Sequence, residues 1–131
     1  MAKYAETRAD IEGVFASEDW TNNNITAYPS NYQAGDYSSE FVRLEILPNS
    51  QRVSYGDIGV AGNVIVQIFV EAGVGITRAT EISDILDTVL QNKIFSRGTQ
   101  TGASTLAFLG LDASNNSLFR AEYLVPFRKY S

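Results

Sequence analysis

The chain has 131 residues, of which 44% are hydrophobic and 19% charged, a composition typical of a single soluble globular domain over residues 1–131. It contains no cysteine and no histidine, which excludes disulfides, thiolate nucleophiles, imidazole catalysis and the usual zinc ligands. The net charge is −5 and the basic residues are scattered, so we do not expect a protein that grips nucleic acid through its phosphates.

The N-terminal segment, residues 4–15, predicts an amphipathic helix of about three turns, because its apolar residues fall near one side of a helical wheel. The apolar positions are Tyr4, Ile11, Val14 and Phe15, and the charged side chains placed mostly elsewhere are Glu6, Arg8, Asp10 and Glu12. Trp20 and a polar turn cluster follow, and then a short extended piece over residues 25–28. Residues 30–39 are typical of a surface loop.

Residues 40–47 alternate between apolar and polar side chains and predict a strand that ends at Pro48 and Asn49. The next stretch, residues 48–62, is rich in serine, asparagine and glycine but keeps apolar residues at even spacing. This pattern favours a long hairpin over plain coil.

The centre of the chain predicts a strand, a turn and a helix. Residues 64–71 are dominated by β-branched side chains and indicate an interior strand. After a turn with two glycines, a helix is expected up to Leu90, with Thr77 as its N-cap. Its predicted buried stripe consists of Ile76, Ala79, Ile82, Ile85, Leu86, Val89 and Leu90.

Two further strands are predicted over residues 104–111 and 118–127, with Pro126 suited to a strand end or edge. Only one long helix lies between strands, so a repeating βαβ pattern is missing. The predicted fold class is therefore α+β, with a mainly antiparallel sheet of four to five strands packed by two helices and with a long hairpin loop.

The turn Gly73-Val74-Gly75 occupies the place of a dinucleotide-binding fingerprint, after a strand and before a helix. Arg78 stands where that fingerprint has its third glycine. A plain strand-to-helix turn with a glycine at positive φ is the favoured interpretation, and a small ligand-binding domain that uses Gly73 to Gly75 stays as an alternative.

Glu81, Asp84 and Asp87 form a band on the predicted helix that could ligate a hard cation or supply an acid–base pair, although a solvated face is more common. The many aromatic residues lack the flanking basic residues of a base-stacking groove. Phe119, Tyr123 and Phe127 are therefore expected in the core or at a subunit interface. We predict no catalytic residue, no metal, no cofactor and no enzymatic activity.

Five ordered pieces of the chain together resemble a known family. They are the opening helix, the strand FVRLEIL from Phe41, the strand GVAGNVIVQIFV from Gly59, the GVG turn with its helix, and the strand LFRAEYLVPF from Leu118. In this order they resemble the tail terminator (tail completion, lambda gpU-like) proteins of long-tailed bacteriophages. The resemblance covers nearly the whole chain.

The resemblance implies a structural virion protein, assembled in the host cytoplasm and located at the head-proximal end of the tail. Family members form a hexameric ring that caps the tail tube, stops its polymerisation and presents a docking surface to the capsid neck. The implied partners are other copies of the chain, the tail tube protein and a neck or head-completion protein, with no membrane. DNA would pass through the lumen without specific binding, which suits an acidic chain.

A ring built from head-to-tail contacts needs two different patches on each subunit. The glycine-rich hairpin loop is one candidate, and the basic C-terminal end, either paired with an acidic neighbour or solvated, is another. The hypothesised subunit or tube contacts are Gln51, Arg52, Val53, Ser54, Tyr55, Asp57, Ile58, Arg128 and Lys129. Another neck or head–tail completion ring protein is the nearest alternative.

Overall fold

Helices and strands follow one another in a mixed order in the computed structural model, which describes residues 3–28, 40–49, 60–111 and 118–129. Within this part the helices are α1 (Lys3–Gly13), α2 (Glu18–Thr21) and α3 (Gly75–Leu90), with a 3-10 turn at Val14–Ala16. The strands are β1 (Thr26–Tyr28), β2 (Phe41–Asn49), β3 (Val60–Glu71), β4 (Gln100–Thr101), β5 (Thr105–Leu111) and β6 (Leu118–Lys129).

The strands form a six-stranded sheet in the order β1-β2-β3-β6-β4, with β5 also paired to β6 on its side away from β3. Neighbouring strands are antiparallel except β1 and β2, which run parallel. The predicted α+β class with a mainly antiparallel sheet is confirmed. The additional strand β4 and the additional helix α2 have only two and four residues, too few to produce a periodic pattern in the sequence.

The predicted hairpin consists of β2 and β3, whose pairing extends as far as Asn49 with Ala61. Its connecting residues, 50–59, lie outside the described part. Contrary to the prediction, Pro48 does not end β2 but pairs with Gly62. The described part of β1 pairs with β2 only as far as Arg43, so no described strand pairs with Pro48 on the side away from β3.

Pro126 lies inside β6, where it pairs with Asn63 of β3, rather than at the end of the strand. On the other side of β6 it falls between two partners, because β6 pairs with β5 up to Leu124 and with β4 only from Phe127 onward. The position is therefore locally an edge, as the sequence suggested. The carbonyl of Pro126 accepts a hydrogen bond from the Gly102 N–H at 2.9 Å.

The helices cover one face of the sheet and form the main core with it. Its fully buried residues include Ile11, Trp20, Val42, Val64, Val66, Ile68, Ala79, Ile82, Leu86, Leu90, Ala121 and Val125. The stripe predicted for α3 is confirmed at most positions, but Ile76 in the first turn is 58% exposed and Ile85 is only half-buried. No helix of the described part is long and apolar enough to cross a membrane.

The opposite side of the sheet, called the second face below, carries a smaller apolar cluster. Phe41, Phe69 and Leu118 are each 3% exposed, and the two phenylalanine rings stack with centroids 4.6 Å apart. Alternation along the strands explains both clusters, because successive side chains point to opposite faces of a sheet.

Candidate assembly surfaces

The described residues that flank the hairpin loop lie at the same end of the sheet as Arg128 and Lys129. Val60, the first residue of β3 after the hairpin loop, pairs with Lys129, and Ala61 pairs with Arg128. The arms of the hairpin therefore leave the sheet beside the C-terminal end of β6. The hypothesised contacts of the loop, Gln51, Arg52, Val53, Ser54, Tyr55, Asp57 and Ile58, lie outside the described residues and stay a prediction.

Lys129 is not the solvated tail residue that the sequence left open. Its Nζ donates to the Arg97 carbonyl at 2.7 Å and lies 3.3 Å from Glu6 Oε1, and the residue is only 6% exposed. It is the last residue of β6, whose alternation directs it to the helix-covered face. A subunit contact through Lys129 would therefore have to compete with Glu6.

Asp10 of α1 has a buried carboxylate close to Arg97. The sequence analysis missed it, because it placed Asp10 mostly away from the apolar side of the helix. The Asp10 side chain is 1% exposed. Its Oδ1 accepts from Arg97 N at 3.2 Å and lies 3.4 Å from Arg97 Nη1, and its Oδ2 accepts from Thr99 N at 3.3 Å. The carboxylate thus connects α1 to the segment between α3 and β4 through hydrogen bonds to its backbone.

The glycine turn differs from the prediction in its backbone conformation. Gly73 and Gly75 do not have positive φ, contrary to the prediction. A Cβ built on Gly75 would lie 3.3 Å from the Phe119 ring, so this glycine makes room for an aromatic side chain. The helix begins with Val74 at the N-cap position, without a side-chain cap, and the prediction of Thr77 as N-cap is wrong.

Arg78, which follows this turn, is held by carboxylates of its own chain. Its Nε and Nη2 donate to Glu40 at 2.8 and 2.6 Å, and its Nη1 donates to Glu81 at 3.1 Å. The bidentate hydrogen bonds from Arg78 keep the pKa of Glu40 below its usual value. The guanidinium therefore connects the start of β2 to the first turns of α3.

The carboxylates predicted as a band on α3 do not act as one group. Glu81 pairs with Arg78, Asp84 is exposed, and Asp87 turns toward the sheet. Asp87 Oδ1 accepts hydrogen bonds from the Tyr123 hydroxyl at 2.7 Å and the Ser104 hydroxyl at 2.6 Å. Among the described residues no group of three or more His, Cys, Asp or Glu side chains could hold a metal ion.

Tyr123 is buried beneath α3 and has a raised pKa. Desolvation raises it most, and the hydrogen bond that its hydroxyl donates to the Asp87 carboxylate raises it further. Tyr123 and Phe127 are 1% and 4% exposed, and Phe119 is partly buried against the main core. The sequence predicted these aromatic residues in the core or at a subunit interface, and the structure places them in or against the core of this chain.

The exposed apolar side chains concentrate on the edge strand β5, which the sequence predicted as a strand without indicating its exposure. Phe108, Leu109 and Leu111 are 46%, 47% and 57% exposed. The Phe108 ring lies 6.2 Å from that of Phe119, so the exposed residues continue from a partly buried aromatic pair. Three of the eight exposed large hydrophobic side chains of the described residues therefore lie on this one strand.

The scans of protein-family models and of curated proteins gave no match. Among solved structures, a chain without a functional name matches with TM-score 0.66 and 13% identity, covering 96% of this chain and 94% of that one. A chain of the virion of a native gene transfer agent particle matches with TM-score 0.64 and 11% identity, covering 95% and 94%. The TM-scores establish a shared fold over nearly the whole length of each chain. At identities this low, the comparison shows the fold alone.

Proposed function

We propose that the protein is a structural component of a phage-like virion. The observation that carries this proposal is the full-length fold match with a chain of the gene transfer agent virion. A shared fold alone does not give a function. The ordered resemblance to the tail terminators, which rests on the sequence and not on the fold comparison, points to the same class of particle.

Within the virion we infer the role of tail terminator. Copies of the chain form a ring, a hexamer by the family resemblance, on the head-proximal end of the tail tube, where they stop polymerisation and dock the capsid neck. In this proposal the chain has no enzymatic activity. Its partners are its own copies, the tube protein and a neck or head-completion protein, and DNA passes through the acidic ring without specific binding.

Two features of the chain support a role in assembly. The hairpin arms and exposed Arg128 meet at one end of the sheet, which gives a tube or neighbouring subunit a single surface to contact. The buried carboxylate Asp10 and the Glu40–Arg78 pair are engaged within the chain, which is typical of groups that hold a fold together. The net charge of −5 suits a wall that must not retain DNA.

A neck or head–tail completion ring is the second candidate, because the same fold match with a virion chain favours it equally. The two roles differ in one respect. A terminator acts on a growing tube, whereas a neck protein joins an end that is already capped.

The proposal is tested by polymerising the tail tube protein of the same virus with increasing amounts of this protein. We expect the mean tube length, measured in electron micrographs, to fall as the ratio rises, and capped ends to take up no further tube protein. Unchanged lengths would contradict the terminator role. Binding to finished tails without an effect on growing tubes would favour the neck protein.

A further inference from the structure

Exposed apolar side chains meet between the first turn of α3 and strand β5. Ile76 of α3 is 58% exposed and Phe108 of β5 is 46% exposed. The half-buried Phe119 connects them, because its ring lies 6.2 Å from that of Phe108 and 3.3 Å from a Cβ built on Gly75, the residue before Ile76. Ile76, Phe108 and Phe119 are called the α3–β5 trough below. Neighbouring exposed apolar side chains, unlike isolated ones, mark contacts with other molecules.

The wall of the trough that α3 forms is acidic. Asp87 faces β5, because its Oδ1 accepts a hydrogen bond from the hydroxyl of Ser104, the residue before that strand. Ile76 lies on the same side of the helix, since eleven residues bring a helix to within about 20° of the same direction. Asp84 is exposed one turn before Asp87. Arg78, the one basic residue of α3, is held by carboxylates of its own chain, and β5 carries no charge.

An apolar side chain protrudes just beyond the other end of α3. Ile94 is 79% exposed, the highest value among the exposed large hydrophobic side chains of the described ranges. Its backbone is held in place, because Lys93 N donates to Thr101 Oγ1 and the Lys93 carbonyl accepts from Thr101 N, both at 2.9 Å. Ile94 itself forms a bridge with Gln100. A side chain on an ordered backbone loses little conformational entropy when it binds a partner.

The segment around Ile94 is basic. Residues 91–104 include Lys93 and Arg97 and no acidic residue, and both basic side chains are exposed. Asp10 lies beside Arg97, but its carboxylate is buried and already accepts two backbone hydrogen bonds. The segment therefore presents positive charge on both sides of an apolar side chain. Lys93, Ile94 and Arg97 are called the Ile94 knob below.

The knob and the trough are separate and opposite in charge. From Ile76 to Leu90 the helix rises about 20 Å, so the two surfaces lie at opposite ends of α3. A head-to-tail ring requires two such different surfaces on each subunit. Copies with a net charge of −5 repel one another at most orientations, whereas a basic segment against an acidic helix wall attracts.

We propose that the Ile94 knob of each copy docks in the α3–β5 trough of the next copy around the ring. The partner is a second copy of this chain. Ile94 gains burial against the apolar side chains of the trough, and the two cations of the knob face the carboxylates of α3. The inference rests on the proposed ring-forming function and names the surfaces that form the ring.

Two substitutions disable the two surfaces separately. Ile94→Asp removes the apolar anchor of the knob, and Ile76→Asp places a charge in the trough. Both side chains are exposed in the single chain, so each variant should unfold at the temperature of the parent, which thermal denaturation checks. The control is Leu47→Asp on β2, a change at a 44% exposed apolar residue that belongs to neither surface.

Each protein is added to tail tubes in increasing amounts, and capped tube ends are counted in electron micrographs. We expect the knob and trough variants to need at least about tenfold more protein than the parent to cap half of the ends, and the control to match the parent. Capping by either folded variant at the parent's concentration would overturn the contact while leaving the terminator function in place. An equal loss in the control would also overturn it, because the loss would then not depend on these surfaces.

Mixing the two variants distinguishes this contact from one in which a surface pairs with itself. Ile94→Asp keeps the trough and Ile76→Asp keeps the knob, so an equimolar mixture has one intact contact per pair. Sedimentation, at the concentration where the parent forms rings, should show heterodimers in the mixture and monomers of each variant alone. Dimers of one variant alone, or a mixture that stays monomeric, would overturn the proposal. If the unmodified protein neither forms rings nor caps tubes, the proposed function fails and the contact fails with it.

Discussion

At the scale of single residues, the fold depends on polar groups that are buried with their partners. Asp10 is the clearest case, because its two carboxylate oxygens satisfy the backbone N–H groups of Arg97 and Thr99. A buried N–H without a partner costs about 1–3 kcal/mol, so the carboxylate stabilises the segment between α3 and β4 as well as α1.

We expect Asp10→Asn to lower the free energy of unfolding by about 1–3 kcal/mol, because the amide keeps one acceptor but turns a donor toward the other N–H. Urea denaturation measures the change. The control is Glu12→Gln on the same helix, where loss of the solvent-exposed pair with Arg8 should change the free energy of unfolding little. An Asp10→Asn variant as stable as the parent would contradict the assigned role.

The Glu40–Arg78 pair predicts a dependence of stability on pH. Because the pKa of Glu40 is lowered in the folded protein, its contribution is present above the unfolded-state value and is lost as the pH falls through the folded-state value. The parent should therefore exceed Glu40→Gln in stability at about pH 7 and lose most of that advantage near pH 3. Denaturation at both pH values measures this.

The control for the pH experiment is Glu45→Gln, since Glu45 is an exposed carboxylate of β2, the strand that Glu40 directly precedes. Its difference from the parent should change little over the same pH range. An advantage of the parent over Glu40→Gln that does not shrink in acid would show that the pair does not stabilise the fold.

Periodicity predicted which way most side chains of α3 and β3 point, but it could not identify Asp10 as buried. Thr7, Asp10, Ile11 and Val14 are the buried positions of this region, and they recur at helical spacing. Two of the four are polar, so hydrophobicity alone moved the predicted buried face toward Tyr4, which is 58% exposed. The partners of Asp10 are almost ninety residues away in sequence, and no local pattern announces them.

At the scale of elements, the turn between β3 and α3 needs a glycine at position 75 because of packing. A larger residue would press on a neighbouring side chain, and the φ of Gly75 is not positive. Gly75 lies against Phe119, the residue of β6 that pairs with Val70 near the end of β3. The sequence predicted the order of strand, turn and helix correctly, but not the backbone conformation of the turn or the N-cap of the helix. It could not reveal that β6 lies beside β3 and brings an aromatic ring to the glycine.

Gly75→Ala should destabilise the protein by about 1 kcal/mol relative to Gly73→Ala, because the added methyl group presses on the Phe119 ring. Gly73 has nothing within 4 Å of the same position and serves as the matched control. In a Phe119→Leu background the cost of Gly75→Ala should largely disappear, which thermal denaturation of the double-mutant cycle measures. An equal cost in both backgrounds would contradict the steric explanation.

At the scale of the whole molecule, the sequence predicted the α+β class, the hairpin and the order of the long elements. It missed β4 and α2, because elements of two and four residues carry no period. The periodicity of one chain does not show which of its surfaces would meet in a ring. The position of β5 beside β6, away from β3, became visible only once the order of strands in the sheet was known.

The hairpin loop is expected to matter for assembly but not for folding. Replacing residues 51–58 by a short glycine-serine link should leave a cooperative unfolding transition and abolish tube capping. The replacement stops before Val60, which is 3% exposed and pairs with Lys129, because its loss would damage the sheet itself. Calorimetry and the tube-length assay give the two results, and normal capping would show that the loop is dispensable.

The central claim is that this chain is the ring at the head-proximal end of a phage-like tail. The most direct measurement is electron microscopy of virions that carry a tagged copy of the chain, labelled with gold and viewed beside tubes capped in vitro. The account predicts gold at the junction of tail and head and a ring on one end of each tube. Gold along the tail or on the capsid shell, with bare tube ends, would contradict it.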